Sequence, residues 1–285
     1  MPGPRLLCGA GWLDLSQPVV MGVLNVTPDS FSDGGRNPDP GTAIARGLEL
    51  AAEGAAIIDI GGESTRPGAE PVPVEEELRR VIPVVRGLAR EARVLLSVDT
   101  SQAEVMRQAV DAGARLINDV RALQFPGAVQ AAAASGAAVC LMHMQGDPRT
   151  MQRKPEYADL VTDIKAMLAA RVQACVAAGI GRERLCLDPG FGFGKQLAHN
   201  LELLRRLPEV AALGLPLLVG LSRKSLLQAL TGRGVGDRLA GSVALATIAV
   251  LQGAHIVRAH DVAATLDAVR VAAALRAGGG DAGVV

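Results

Sequence analysis

Aromatic residues make up only 2% of this 285-residue sequence, with one tryptophan, one tyrosine and four phenylalanines. So few rings leave almost nothing on which to stack nucleic-acid bases, and alanine, leucine and valine must fill the core. Net charge is lacking as well: 29 lysines and arginines cancel 29 aspartates and glutamates. No global field therefore draws the chain to nucleic acid or to an anionic membrane, and any anion site must be built locally. No apolar run reaches bilayer-spanning length without Gly, Pro or charge interrupting it. The stretch Met1 to Trp12 has one arginine and no signal-like apolar core, which predicts a cytoplasmic location. The four cysteines, Cys8, Cys140, Cys175 and Cys186, show no C-x-x-C spacing and read as reduced core thiols. The four histidines, His143, His199, His255 and His260, lack i, i+4 spacing and any H-E-x-x-H run, which argues against a protein-built zinc site. No G-x-S-x-G elbow offers a nucleophile.

What is present is a repeated pattern. Short β-branched runs occur at Val19–Val26, Ala56–Ile60, Val94–Val98, Arg115–Val120, Ala138–Met144, Arg184–Leu187, Pro216–Leu221 and Ala254–Arg258. Their hydrophobicity is continuous rather than alternating, as expected of parallel strands buried on both faces. Helical stretches lie between them: Pro40–Gly54, Val74–Arg90, Ser101–Gly113, Asp159–Gly179, Asn200–Leu207, Ser225–Leu230, Asp237–Gly253 and Asp261–Ala277. Gly54, Gly113, Gly136, Gly179, Gly214 and Gly253 stand where a left-handed C-cap would turn helix into strand. Eight β/α units over residues 1–285, with no inserted second domain, predict a single (β/α)8 TIM barrel. A doubly wound open sheet is the competitor. It would gather its site at one switch point, whereas polar residues here end every strand: Asn25, Glu63 to Thr65, Asp99, Asn118, His143, Asp188, Ser222 to Lys224, and Arg258 with His260. Taken singly, Asp99 or Asp261 would read better as a helix cap; together the strand ends predict an active site on the C-terminal rim.

Three loops interrupt the pattern. Asn25–Gly35 is too rich in Pro, Gly and polar residues for a helix and reads as a lid. Gly61–Gly68 concentrates hydroxyls and an arginine beside glycines that permit close backbone approach. Asp188–Lys195 alternates glycine with phenylalanine, which suggests a flat ligand. Gln196 follows its Gly–Lys pair where a Walker motif needs Ser or Thr, so the ATPase reading fails. The ends of the seventh and eighth strands, Ser222–Ser225 and Arg258–Asp261, bring Arg223, Lys224, Arg258 and His260 to the positions where such barrels bind phosphate. Many fixed charges without a nucleophile point to direct displacement, driven by positioning and charge stabilisation.

The runs Gly22–Gly35, Asp59–Gly68, Asp188–Lys195, Ser222–Ser225 and Arg258–Val262 resemble, in order along the chain, the signatures of dihydropteroate synthases. Ala259 departs from that pattern, where threonine is common. The resemblance implies an alkyl transfer in folate biosynthesis: 6-hydroxymethyl-7,8-dihydropterin pyrophosphate and p-aminobenzoate give 7,8-dihydropteroate and pyrophosphate. It implies pterin binding by Asp99, Asn118, Asp188, Lys224 and Phe193, the carboxylate of Asp188 suiting paired N–H donors. It implies p-aminobenzoate binding by Thr65, Arg66, Pro67, Phe193 and Ser225. Pyrophosphate would meet Asn25, Arg258 and His260, with Mg2+ bound to the diphosphate and to Asn25. Lys224, Arg258, His260 and Asp99 would be catalytic. A homodimer with neither a membrane nor a nucleic-acid partner completes the expectations, and the chain's end soon after the eighth helix predicts no fused enzyme.

Two rivals share parts of this pattern. A pterin barrel that passes a methyl group to a corrinoid protein would use the same Asp and Asn, but needs neither the first lid nor Ser-Arg-Lys-Ser. A non-enzymatic pterin binder would require a lost catalytic element, and none is missing.

Overall fold

The computed structural model describes residues 3–27, 39–64, 68–147, 151 and 155–277. Two short antiparallel strands open it, β1 (Arg5–Cys8) and β2 (Gly11–Asp14). Eight parallel strands follow: β3 (Val19–Asn25), β4 (Ile57–Gly61), β5 (Leu95–Asp99), β6 (Leu116–Asp119), β7 (Ala138–Met142), β8 (Leu185–Asp188), β9 (Leu218–Gly220) and β10 (Ile256–Ala259). Their order is β8-β7-β6-β5-β4-β3-β10-β9. A parallel bridge between Leu187 and Leu217 joins the two ends, with the Leu187 N–H donating to the Pro216 carbonyl at 2.9 Å. The sheet thus closes into the expected barrel.

Helices alternate with these strands: α1 (Pro40–Ala52), α2 (Val74–Glu91), α3 (Ala103–Ala112), α4 (Ala128–Ser135), α5 (Leu160–Ala177), α6 (Leu197–Arg205), α7 (Leu207–Ala211), α8 (Ser225–Thr231), α9 (Leu239–Leu251) and α10 (Val262–Arg276). Local chemistry sets several starts. Asp39 accepts the Thr42 N–H at 3.0 Å ahead of Pro40, and Asp159 accepts the Thr162 N–H at 2.8 Å, each satisfying an orphan donor. All six predicted C-cap glycines have positive φ. Helix α4 falls in an alanine-rich stretch for which no helix was predicted, and Asn200–Leu207 resolves into α6 and the start of α7. No described helix is long and apolar enough to cross a membrane.

The two-residue pleat divides the core. Outward side chains such as Ile58, Ile60, Val98, Ile117, Val139, Leu187 and Val257 pack under the helices. Inward ones, Met21, Ile57, Leu116, Ala138, Cys140, Cys186, Leu218 and Ile256, fill the lower barrel. The β1–β2 hairpin, which no sequence pattern predicted, adds Leu6, Cys8 and Leu15 to that inner cluster and so plugs the N-terminal end. All four cysteines are buried free thiols.

Candidate active site

The same parity that fills the lower barrel with hydrocarbon places polar side chains one layer higher. Asn25 stands opposite Gly61, Gly61 opposite Asp99, and Asp99 opposite Asn118. Asp188 closes β8 and Arg258 lies in β10. Asp99, Asn118 and Asp188 are all buried, while Arg258 keeps 22% of its side chain exposed. The C-terminal mouth is therefore lined by charge and amide.

At its centre lies a network around Asp59, a residue of the second motif to which the sequence assigned no role. Its side chain is fully buried. It accepts from the Ser97 hydroxyl at 2.6 Å, from Asn118 Nδ2 at 2.9 Å and from Arg258 Nε at 2.6 Å. Arg258 also donates to Asp99 at 2.9 Å. Burial and the charge of Asp59 push the Asp99 carboxyl up, against the pull of Arg258. Two carboxylates around one guanidinium compensate a buried charge, and they hold Arg258 between the strand ends. The available signal was parity: a lone charge at the middle of the apolar run Ala56–Ile60, two residues before Gly61, must face the barrel interior.

Asp188 Oδ1 accepts the Gly190 N–H at 2.7 Å. Burial raises this carboxyl, while nearby Lys224 opposes the shift. Lys224 donates to the Phe191 carbonyl, and its Nζ lies 4.6 Å from the centroid of the Phe193 ring. Burial lowers the Lys224 ammonium to about 8, with Asp188 pulling the other way. Lys195 is also buried and lowered to about 7, chiefly by desolvation. The turn that brings these groups together needs glycine. Gly190 has φ 71°, and a Cβ there would stand 1.9 Å from the His143 carbonyl oxygen.

The basic pair of strand ends is more internally matched than the sequence suggested. Arg223 donates to both carboxylate oxygens of Asp261, through Nε at 3.0 Å and through Nη2. Asp261 thus accepts an arginine rather than capping α10, and no side-chain cap bond forms there. Asp99 likewise engages Arg258, and α3 starts after Gln102 with no side-chain cap bond. His260 Nδ1 lies 3.0 Å from the Ser222 hydroxyl, whose oxygen also accepts the His260 N–H at 3.2 Å. Ser225 begins α8 at the surface directly after Lys224. Thr65, Arg66, Pro67 and residues 28–35 of the first lid lie outside the described residues. Among the described residues no group of three or more His, Cys, Asp or Glu could hold a metal ion.

Known proteins share this barrel. The pterin binding enzyme family matches residues 21–260. The dihydropteroate synthase of Escherichia coli (strain K12) is 55% identical over 259 residues, covering 91% of this chain and 92% of that protein. The structure of Yersinia pestis dihydropteroate synthase in complex with a sulfonamide drug superposes with a TM-score of 0.92 at 53% identity, over 96% of this chain and 99% of that one. Xanthomonas albilineans dihydropteroate synthase in complex with 7,8-dihydropteroate gives 0.85 at 47% identity, again over 96% and 99%. With the barrel, its polar mouth and these relatives in agreement, the chain belongs to the dihydropteroate synthase family of pterin-binding enzymes.

Proposed function

We propose that this mouth joins 6-hydroxymethyl-7,8-dihydropterin pyrophosphate to p-aminobenzoate. The arylamine nitrogen bonds to the pterin methylene, the bond from that carbon to the pyrophosphate oxygen breaks, and one amine proton is released. The observation that carries the reading is the convergence of Asp99, Asn118, Asp188, Lys224 and Arg258 on one barrel mouth, above an apolar plug. Carboxylate and amide side chains in so dry a setting suit the N–H and ring-nitrogen pattern of a pterin and penalise ligands that leave them unpaired. Lys224, with its ring contact to Phe193, offers a cation and a flat face at the pterin edge. Phe193 and Ser225 are assigned to p-aminobenzoate, as are Thr65, Arg66 and Pro67, which lie outside the described residues.

Arg258 and His260 take the leaving group, stabilising charge where it develops. Asn25 fits the remaining task. It supplies one neutral oxygen at the end of β3, and the described residues hold no carboxylate cage, which is the donor set of a Mg2+ bound mainly by diphosphate and water. When bound, Mg2+ neutralises charge on the departing pyrophosphate. Four reduced cysteines fit a cytoplasmic enzyme. A homodimer is supported by exposed Ile248 and Leu251 on α9 and Val271 and Leu275 on the adjoining α10.

The test is pyrophosphate release. It is expected only when both substrates and Mg2+ are present, in step with dihydropteroate formation, and a sulfonamide should compete with p-aminobenzoate. Pyrophosphate release without the arylamine, or none at all with both substrates, would overturn the reading. Methyl transfer to a corrinoid protein would instead favour the methyltransferase rival.

A further inference from the structure

Two side chains that stand out in the sequence take no part in the chemistry above: His143, just past β7, and Lys195, which closes the glycine-rich loop after β8. Lys195 is 2% exposed and His143 5%. A buried ammonium carries three donors and no acceptor, and here all three are matched. Lys195 Nζ lies 3.0 Å from His143 Nδ1 and donates to the carbonyls of Gly190 at 2.9 Å and Phe193 at 3.0 Å. Because an ammonium only donates, His143 Nδ1 is the unprotonated ring nitrogen; burial, assisted by the lysine charge, lowers this histidine to about 3 and keeps it neutral.

The loop these bonds span has no ladder of its own. It turns on Gly190, Gly192 and Gly194, with φ of 71°, 79° and 61°. Its shape therefore depends on cross-ties. Asn200 Oδ1 accepts the Gly192 N–H at 2.7 Å, the Tyr157 hydroxyl donates to the Gly194 carbonyl at 2.7 Å, and Lys224 donates to the Phe191 carbonyl. Lys195 differs from these in gripping both ends of the segment that carries Phe193. The Gly190 carbonyl also accepts the Phe193 N–H at 3.1 Å, so an apolar side chain of the same length would leave the Phe193 carbonyl without its donor, a cost the loop could relieve by moving.

We propose that Lys195 is a positioning residue of this enzyme: anchored on neutral His143, its ammonium clamps the carbonyls of Gly190 and Phe193 and so sets the Phe193 ring beside Lys224. The proposal rests on the assignment of Phe193 and Lys224 to the substrate pocket. It is tested by a double-mutant cycle in the full-length enzyme, with Lys195→Met, Phe193→Ala and the pair, each followed by steady-state kinetics with p-aminobenzoate varied. Each single variant is expected to lose about tenfold or more in kcat/KM, and the pair to fall no more than about threefold below the weaker single, because both act through one ring. A merely structural lysine would instead give losses that multiply. His143 supplies a second, milder arm: His143→Asn keeps an acceptor and should stay within about threefold of wild type, whereas His143→Leu should reproduce Lys195→Met. This arm decides the matter should Lys195→Met fail to fold. Multiplying losses, wild-type kinetics in Lys195→Met, or equal behaviour of the two His143 variants would overturn the proposal while leaving an impaired Phe193→Ala to uphold the pocket. Wild-type kinetics in Phe193→Ala would overturn the assignment of Phe193 and the proposal with it.

Discussion

Asp59 sits without solvent among three donors, from Ser97, Asn118 and Arg258, and two of those donors belong to residues assigned to substrate. Asparagine in its place keeps the shape but removes the charge that balances Arg258. Breaking such a pair should destabilise the fold by about 3 kcal/mol, and the displaced Arg258 and Asn118 should lower kcat/KM by roughly 100-fold; thermal melts and steady-state rates of Asp59→Asn would check both. Glu77 presents the opposite case. Neither of its oxygens meets a hydrogen-bond partner among the described residues, and it is fully buried. Burial pushes its carboxyl from 4.5 up to about 7, with the nearby Thr100 hydroxyl pulling the other way. The folded chain thus holds a proton that the unfolded chain gives up. The stability that Glu77 contributes is intact below about pH 4.5 and is lost as pH rises through 7. Glu77→Gln should remove that slope and stabilise the protein at pH 8 by about 1–3 kcal/mol, as read by denaturant melts across pH; an unchanged slope would show that Glu77 is not its source.

At the scale of elements, the barrel's lower end depends on a hairpin that contributes no catalytic group. Leu6, Cys8 and Leu15 close over Met21, Ile57, Leu116 and Ile256, so a chain lacking residues 1–15 would open this hydrocarbon to water. At about 1.5–3 kcal/mol for each large side chain, the truncated protein should lose several kcal/mol and bind a hydrophobic dye, while any folded fraction keeps its turnover. Melting unchanged by the truncation would remove the plug from the account. That hairpin was hidden in the sequence because its strands are short and one of them, β2, is mostly exposed, leaving little periodicity to read. The eight barrel strands were legible for the opposite reason: burial on both faces leaves an unbroken apolar run. Strand-end residues such as Asn118 and Asp188 were equally visible, since a polar side chain at the close of a buried run is costly unless it faces an opening or a partner. Pairings across the barrel were not. The bond from Arg258 to Asp59 spans 199 positions, and the matching of Arg223 with Asp261 depends on how neighbouring strand ends are staggered. Sequence spacing carries neither.

For the whole molecule, the outer surface bears on assembly as the mouth bears on chemistry. Helices α9 and α10 pack closely together, yet Ile248, Leu251, Val271 and Leu275 remain 42%, 44%, 59% and 65% exposed. Apolar side chains gathered on adjoining helices are what a soluble chain covers by association, and a two-fold axis would bury the same set on both copies at once. The wild-type protein is therefore expected to sediment at twice its 29.4 kDa chain mass. A variant carrying Ile248→Glu and Leu275→Glu should shift to the chain mass, because like charges would have to be buried without a partner at the interface. Its turnover separates two roles for the dimer. These positions lie on outer helices, while Asp99, Asn118, Asp188, Lys224 and Arg258 lie at the barrel mouth, so a folded monomer should retain most of its kcat and lose mainly thermal stability. Wild-type protein that sediments at one chain mass at micromolar concentration would remove the dimer, whereas a monomeric variant without turnover but with native melting would mean that the partner copy shapes the mouth.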